Sequence, residues 1–262
     1  MRALRASWIA LLVPVLCAQA GDVQSIVAAS RHRVELADFN ASGHLIWVQA
    51  SGARMSYPIN IKGHWFSGVL RIKAELGNGP KQSSVSAAGE RTPLHALIEM
   101  HPSGENQIWI ARPGDKSASV LPFSKWSEGP LGSAFSYEDF LEDEIFWPAQ
   151  TFVEKAKFGA RDCEVVKSTP GPAEKTQYAE VKSWFDPTIA YPVYVEKTVK
   201  ETGVVKEFTS FGMRYEGGFW SARQIEMKAR GRTGSTLLIL DRGTSKANLT
   251  LNDFNLAQLT HF

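Results

Sequence analysis

Five carboxylates crowd into residues 138–144 of this sequence: Glu138, Asp139, Glu142, Asp143 and Glu144. Neighbouring carboxylates can hold a metal ion or divide acid and base roles, so this run is the first place to look for chemistry. Its spacing does not fit a calcium loop, which needs alternating ligands and a glycine at its sharp turn. The acids interleave with Tyr137, Phe140, Leu141 and Ile145, apolar residues at helical spacing. They therefore read as the solvated face of one amphipathic helix. Ser136 with Asp139 three positions on resembles a capping box, acids in the first turn favour the helix start, and Pro148 ends the segment.

The other reactive side chains are scattered. His32, His44, His64, His95, His101 and His261 show no H-E-x-x-H or other metal-ligand spacing, and no cysteine joins them. Cys163 lies in the alternating run Arg161-Asp162-Cys163-Glu164-Val165-Val166, where a buried, inert thiol is the expectation. G-x-S-x-G, P-loop and G-x-G-x-x-G patterns are all missing. The expectation is a protein that is not an enzyme and needs no cofactor or metal. A hydrolase on an unfamiliar β scaffold is the catalytic alternative.

Strands must do most of the positioning. A weak helical period covers 22–34, and then short β-type runs dominate. The expected strands are 44–50, 54–61, 64–75, 94–100, 107–112 and 119–123 in the first half. They resume at 151–158, 162–168, 178–185, 192–199, 204–215, 219–229, 235–240 and 247–252. Val193 and Val195 alternate with Tyr194 and Glu196, and Ile225 and Met227 alternate with Gln224, Glu226 and Lys228. Such alternation gives a sheet one apolar and one wet face. Turns are marked by Arg112-Pro113-Gly114-Asp115, Glu201-Thr202-Gly203 and Glu216-Gly217-Gly218. Two longer loops stand out. The polar, Gly/Ser/Ala-rich stretch 77–93 reads as a disordered excursion rather than a lid, and 168–176 is rich in proline.

The 262 residues are 44% hydrophobic and 21% charged, an ordinary globular composition. Lys plus Arg total 29 against 27 Asp plus Glu, which gives no electrostatic reason to bind nucleic acid. Arg2 and Arg5 precede an apolar run over 6–17, and Ala18-Gln19-Ala20 is a small-x-small cleavage pattern. Residues 1–20 therefore read as a cleaved signal peptide, leaving 21–262 as a single exported, soluble domain. Without them Cys163 is the one cysteine left, and an intramolecular disulfide is impossible. Many strands with few helices leave a wide apolar sheet face that must close on itself or enclose a cavity.

Three stretches carry a resemblance. They are Ile108-Trp109-Ile110-Ala111-Arg112-Pro113-Gly114 with Gly132-Ser133-Ala134-Phe135-Ser136-Tyr137-Glu138-Asp139-Phe140, then Tyr178-Ala179-Glu180-Val181-Lys182-Ser183-Trp184-Phe185-Asp186, and FWSARQIEMKARGRTGSTLLIL at 219–240. In this order the chain resembles the outer-membrane lipoprotein-sorting proteins, the LolA-like family, in a branch with a GSDFSYED-type signature. Ala134 replaces the acid usual in that signature. The resemblance covers most of 95–262 and implies a mainly β (α+β) fold, an incompletely closed antiparallel barrel with a short helical lid. It further implies a periplasmic carrier or chaperone that holds acyl chains of lipids or lipoproteins without a cofactor. Expected partners are that cargo and a membrane transporter or receptor, for a monomeric protein. A periplasmic sensor or adaptor that binds a protein partner is the alternative. Strand parity nominates Phe66, Leu70, Ile72, Ile108, Ile110, Phe185, Val193, Val195, Ile225 and Met227 as cavity-lining residues.

Overall fold

The computed structural model describes residues 23–77 and 92–262. The expected signal peptide and nearly all of loop 77–93 lie outside these residues. One helix, α1 (Val23–Glu35), leads into β1 (Asp38–Val48), β2 (Arg54–Phe66), β3 (Val69–Leu76), β4 (Leu94–Met100), β5 (Gln107–Ala111) and β6 (Ser119–Val120). After a crossover, 121–148, come β7 (Ala149–Phe158), β8 (Arg161–Thr169), β9 (Tyr178–Asp186), β10 (Tyr191–Val199), β11 (Val205–Glu216), β12 (Phe219–Ala229) and β13 (Ser235–Thr244).

All thirteen strands form one antiparallel sheet in the order β6-β5-β4-β3-β2-β1-β13-β12-β11-β10-β9-β8-β7. The chain makes two meanders, β1–β6 and β7–β13, and they join where β1 pairs with β13. The sheet does not close. Its edges are blunted: β6 has two residues, and β7 carries a bulge between Phe152 and Glu154 with Lys155 and Lys157 exposed.

Alternation assigns the two faces. On the concave face Leu45, Ile59, Leu70, Ile98 and Ile108 join Phe185, Phe208, Met227 and Leu238 in the main core. α1 adds Ile26, Val27 and Val34, and the crossover adds Phe135, Tyr137, Leu141, Ile145 and Trp147. The convex face of β3–β5 is also covered, because Leu97 and Ala111 pack under Phe254 and Leu259 of the C-terminal segment. Several strand boundaries differ from expectation: β1 starts at Asp38 and not at 44, β6 stops at Val120 and not at 123, and β13 runs on to Thr244 and not to 240. The β2–β3 hairpin turns at Ser67-Gly68, both at positive φ as a two-residue turn requires, and not at 62–63. Residues 247–252 lead into a 3₁₀ turn, Leu251–Phe254, capped by Thr250 and Asp253, and form no strand.

The crossover overturns two sequence expectations. Two 3₁₀ turns, Tyr137–Phe140 and Asp143–Phe146, replace the single amphipathic helix, with Leu141 extended between them at φ −90°, ψ 131°. Carbonyls that a helix would spend on its own N–H groups are taken by side chains instead. Lys197 Nζ donates to Leu141 O (3.4 Å), Gln150 Nε2 to Glu144 O (2.8 Å) and Arg31 Nε to Ile145 O (2.7 Å). Four of the five acids are not solvated either: Glu138, Asp143 and Glu144 are 1%, 6% and 4% exposed and the Asp139 side chain is fully buried, while the Glu142 side chain stays 40% exposed.

Burial is tolerated because partners arrive from the sheet. Lys197 of β10 pairs with Glu144 at 3.1 Å, and Lys206 of β11 pairs with Asp139 at 2.9 Å. Asp139 also accepts from the Ser136 N–H (2.7 Å) and from the Tyr178 hydroxyl. Glu138 takes the Gln177 N–H and the Thr176 hydroxyl. Burial pushes the Asp139 carboxyl up, but Lys206 and Lys197 outweigh it and hold the group below its ordinary value. Burial likewise pulls Lys197 down, and Glu144, Asp139 and Asp143 more than offset that, so the ammonium stays charged. Asp143 accepts from the Asn106 amide at 2.8 Å, and burial pushes its carboxyl up to about 6.

Two predictions follow from these contacts. A Cβ at Gly43, beside the bulge where β1 meets β13, would collide with the Ile239 carbonyl oxygen. Gly43→Ala is expected to cost about 1–3 kcal/mol in urea unfolding, because both contacting groups are backbone. For Asp143, an unfolded aspartate ionises near 3.8, so the folded state holds the proton more tightly. Its contribution is fully present below that value and is lost as pH rises through about 6. The stability of Asp143→Asn relative to the unaltered protein should therefore grow by roughly 2 kcal/mol between pH 4 and pH 7.5. A difference that stays constant over this range would contradict the assignment.

Candidate functional site

Beneath the crossover, where the two meanders meet, lies a cavity of about 210 Å³. α1 contributes Val34 and, with the residues that follow, Ala37 and Phe39; the crossover contributes Phe135 and Phe140. Its sheet wall is formed by Ile61, Leu70 and Ile72 on one side of the seam and by Ile225, Leu238 and Leu240 on the other. Strand parity explains the second group, since Ile225 pairs with Leu238 and both face inward. The space exceeds the ~150 Å³ of an apolar cavity that takes up benzene and is smaller than the ~300 Å³ of a drug-sized site. A second hollow of about 320 Å³ is bordered by Asn40, Asn60, Lys62, Lys73 and Glu75, with Ile61 as its one apolar lining residue.

Charged groups frame the apolar space. Arg33 of α1 pairs with Glu142 of the crossover, linking the two elements that roof the cavity. Its guanidinium lies 4.7 Å from the Tyr191 ring centroid. Burial pulls the Arg33 pKa down, and Glu142 and Tyr191 outweigh it, so the group stays charged. Burial, together with Glu142, pushes the Tyr191 hydroxyl up to about 12, which keeps it neutral. Arg214, Arg223 and Arg242 stand at the mouth with Glu216.

The ten residues nominated from strand parity divide into three groups. Leu70, Ile72 and Ile225 line the cavity. Ile108, Ile110, Phe185, Val195 and Met227 belong to the same concave-face core but lie outside the lining. Phe66 and Val193 belong to neither the lining nor that core. Trp65 points into the main core, so its neighbour Phe66 faces the convex side and packs near Phe254, 5.5 Å between ring centroids. Val193 sits at a bulge between Pro192 and Tyr194 that breaks strict alternation, and it packs with Cys163 and Ala222.

Sequence reasoning missed Arg33, Tyr191 and the arginines of the mouth. One signal was available: Arg223 shares inward parity with Phe219, Ser221 and Ile225. Cys163 is 2% exposed, and burial and Asp186 push its thiol up. His95 is buried on the convex side against Leu259 O at 2.8 Å. Among the described residues no group of three or more His, Cys, Asp or Glu is placed to hold a metal ion, and no helix is long and apolar enough to cross a membrane.

Comparison with known proteins places this architecture. A putative outer membrane lipoprotein-sorting protein domain from Vibrio parahaemolyticus superposes with a TM-score of 0.78 at 21% identity, covering 91% of this chain and 98% of that one. A DUF1329 family protein from Desulfovibrio piger gives 0.76 at 13% identity, over 90% and 98% of the two chains. A LolA superfamily protein from Nitrosomonas europaea gives 0.61 at 15% identity, over 89% and 97%. At these identities the likeness is one of fold: an unclosed antiparallel half-barrel of the LolA type. No curated protein matches the sequence. A family model described as "Uncharacterized protein" matches residues 93–261, well over half of the sequence, and the chain accordingly belongs to that family, built on the LolA-like fold.

Proposed function

We propose that the protein is a non-catalytic carrier that holds an acyl chain, of a lipid or a lipoprotein, between the concave sheet face and the roof of α1 and crossover. The observation that carries this reading is the apolar cavity at the seam of a sheet that does not close. Each buried methylene contributes about 0.8 kcal/mol, so chain length alone can supply affinity with little polar recognition. A cavity of about 210 Å³ takes part of a long chain, and the rest is accommodated as α1 and the crossover move apart. The Arg33–Glu142 pair spans that division.

The structural neighbours support the same reading, since one is a putative outer membrane lipoprotein-sorting protein domain. The compartment proposed is the periplasm, on the strength of Arg2, Arg5, the apolar run and Ala18-Gln19-Ala20. In this role the carrier would take its cargo from, or deliver it to, a membrane transporter or receptor.

Native mass spectrometry of protein purified without detergent tests the proposal. A mass excess matching a phospholipid or acylated peptide is expected. Ile225→Trp, which fills the cavity from a partly exposed position, should lower that occupancy at least tenfold while thermal unfolding stays cooperative. Protein that is bare as purified, and still bare after incubation with phosphatidylethanolamine–phosphatidylglycerol vesicles, would contradict it.

A further inference from the structure

An apolar cavity explains a chain-binding site but not the arginines gathered at it. Four line the cavity (Arg33, Arg214, Arg223 and Arg242) against three carboxylates, Asp139, Glu142 and Glu216. Each carboxylate already has a cation: Glu142 pairs with Arg33, Glu216 with Arg214, and Asp139 with Lys206 from outside the lining. Arg223 meets only the Asp241 carbonyl, at 3.2 Å, and no carboxylate pairs with Arg223 or Arg242 among the described residues. Positive charge is therefore in excess at the mouth.

Geometry adds to the count. Arg214 pairs with Ser221, two residues from Arg223 on β12, so the two arginines share the concave face as diagonal neighbours ~7–8 Å apart. The Arg214 guanidinium reaches the Gly243 carbonyl at 3.4 Å, beyond normal hydrogen-bond length and readily given up. Farther in, the Arg33 side chain is only 9% exposed, and its Nε has no acceptor among the described residues. A buried, charged donor without an acceptor is costly unless a ligand supplies one. Solvated surface arginines would account for Arg214 and Arg223 alone, but not for Arg33.

We infer that the mouth is an oxyanion subsite and that the ligand is an acidic amphiphile, an acyl chain bearing a phosphate headgroup. The tail lies against Leu238, Ile225 and Ile72; the phosphate sits between Arg214 and Arg223, whose planar donors suit its geometry, and Arg33 Nε donates from the wall. This rests on the acyl-carrier reading and adds the class of headgroup.

Isothermal titration of the full chain with a matched pair of lipids tests it: 1-palmitoyl lysophosphatidic acid and 1-palmitoylglycerol, which differ only in the phosphate. The phosphate-bearing lipid should bind at least tenfold more tightly, with an advantage that shrinks as salt is raised. Arg214→Gln with Arg223→Gln should bring its affinity to within about twofold of the neutral lipid's; both side chains are exposed, and circular dichroism verifies the fold. Equal binding of the two lipids, or a preference that survives the double substitution, would overturn the headgroup assignment and leave the carrier reading standing. Binding of neither lipid would overturn both. Inorganic phosphate that binds as tightly as the phosphate-bearing lipid would make the ligand a free anion and overturn the lipid assignment.

Discussion

β6 and β7 follow one another in sequence yet occupy opposite edges of a thirteen-stranded sheet. The chain between them must cross the whole concave face, and the rest of the architecture is arranged around that crossing. Apolar burial alone would let such a segment slide. Here it is pinned at two points by cations from the sheet, Lys197 on Glu144 and Lys206 on Asp139. Buried ion pairs contribute little net stability once desolvation is counted, yet removing one partner strands the other. They are therefore better suited to fixing where the crossover lies than to holding the fold together. That fixed position leaves a cavity at the seam of β1 and β13, where the crossover could have packed flush.

The same segment shows how far the sequence could be read. Alternation along β10 and β12, and turn residues between the runs, marked out an antiparallel sheet because side-chain parity is a local property. Many strands with few helices said only that the apolar face must close on itself or enclose a cavity, and the unclosed shape was what the LolA-like resemblance implied. Residues 136–146 were misread for a physical reason. The apolar positions fit a helix, and so did the acids, until Lys197, Lys206 and Tyr178 arrived from strands 40 to 70 residues later to bury them. Backbone carbonyls captured by Arg31, Gln150 and Lys197 then competed with helical hydrogen bonding. No local window contains those partners.

Cavity residues show the same limit at smaller scale. Parity found Leu70, Ile72 and Ile225, but it failed at Phe66, where the hairpin turn lies closer than expected, and at Val193, where a bulge shifts the alternation. Leu238 and Leu240 were within reach of the same reasoning. Arg33, Glu142 and Tyr191 were not, because their proximity depends on how α1 and the crossover converge over the sheet. The apolar walls and the cationic mouth thus come from the strands, where inward parity gives a signal, whereas the salt-bridged roof comes from α1 and the crossover and has no signature in sequence.

The central claim is that an acyl chain enters between the sheet and its roof. Hydrogen–deuterium exchange of the full chain, with and without 1-palmitoyl lysophosphatidic acid, tests it most directly. The account predicts slower exchange at 33–39, 135–142 and the inward stretches of β12 and β13, with β7 and β8 unchanged. Slowing confined to the convex face, or to the free edge at β7, would show that ligand is held elsewhere and contradict the account.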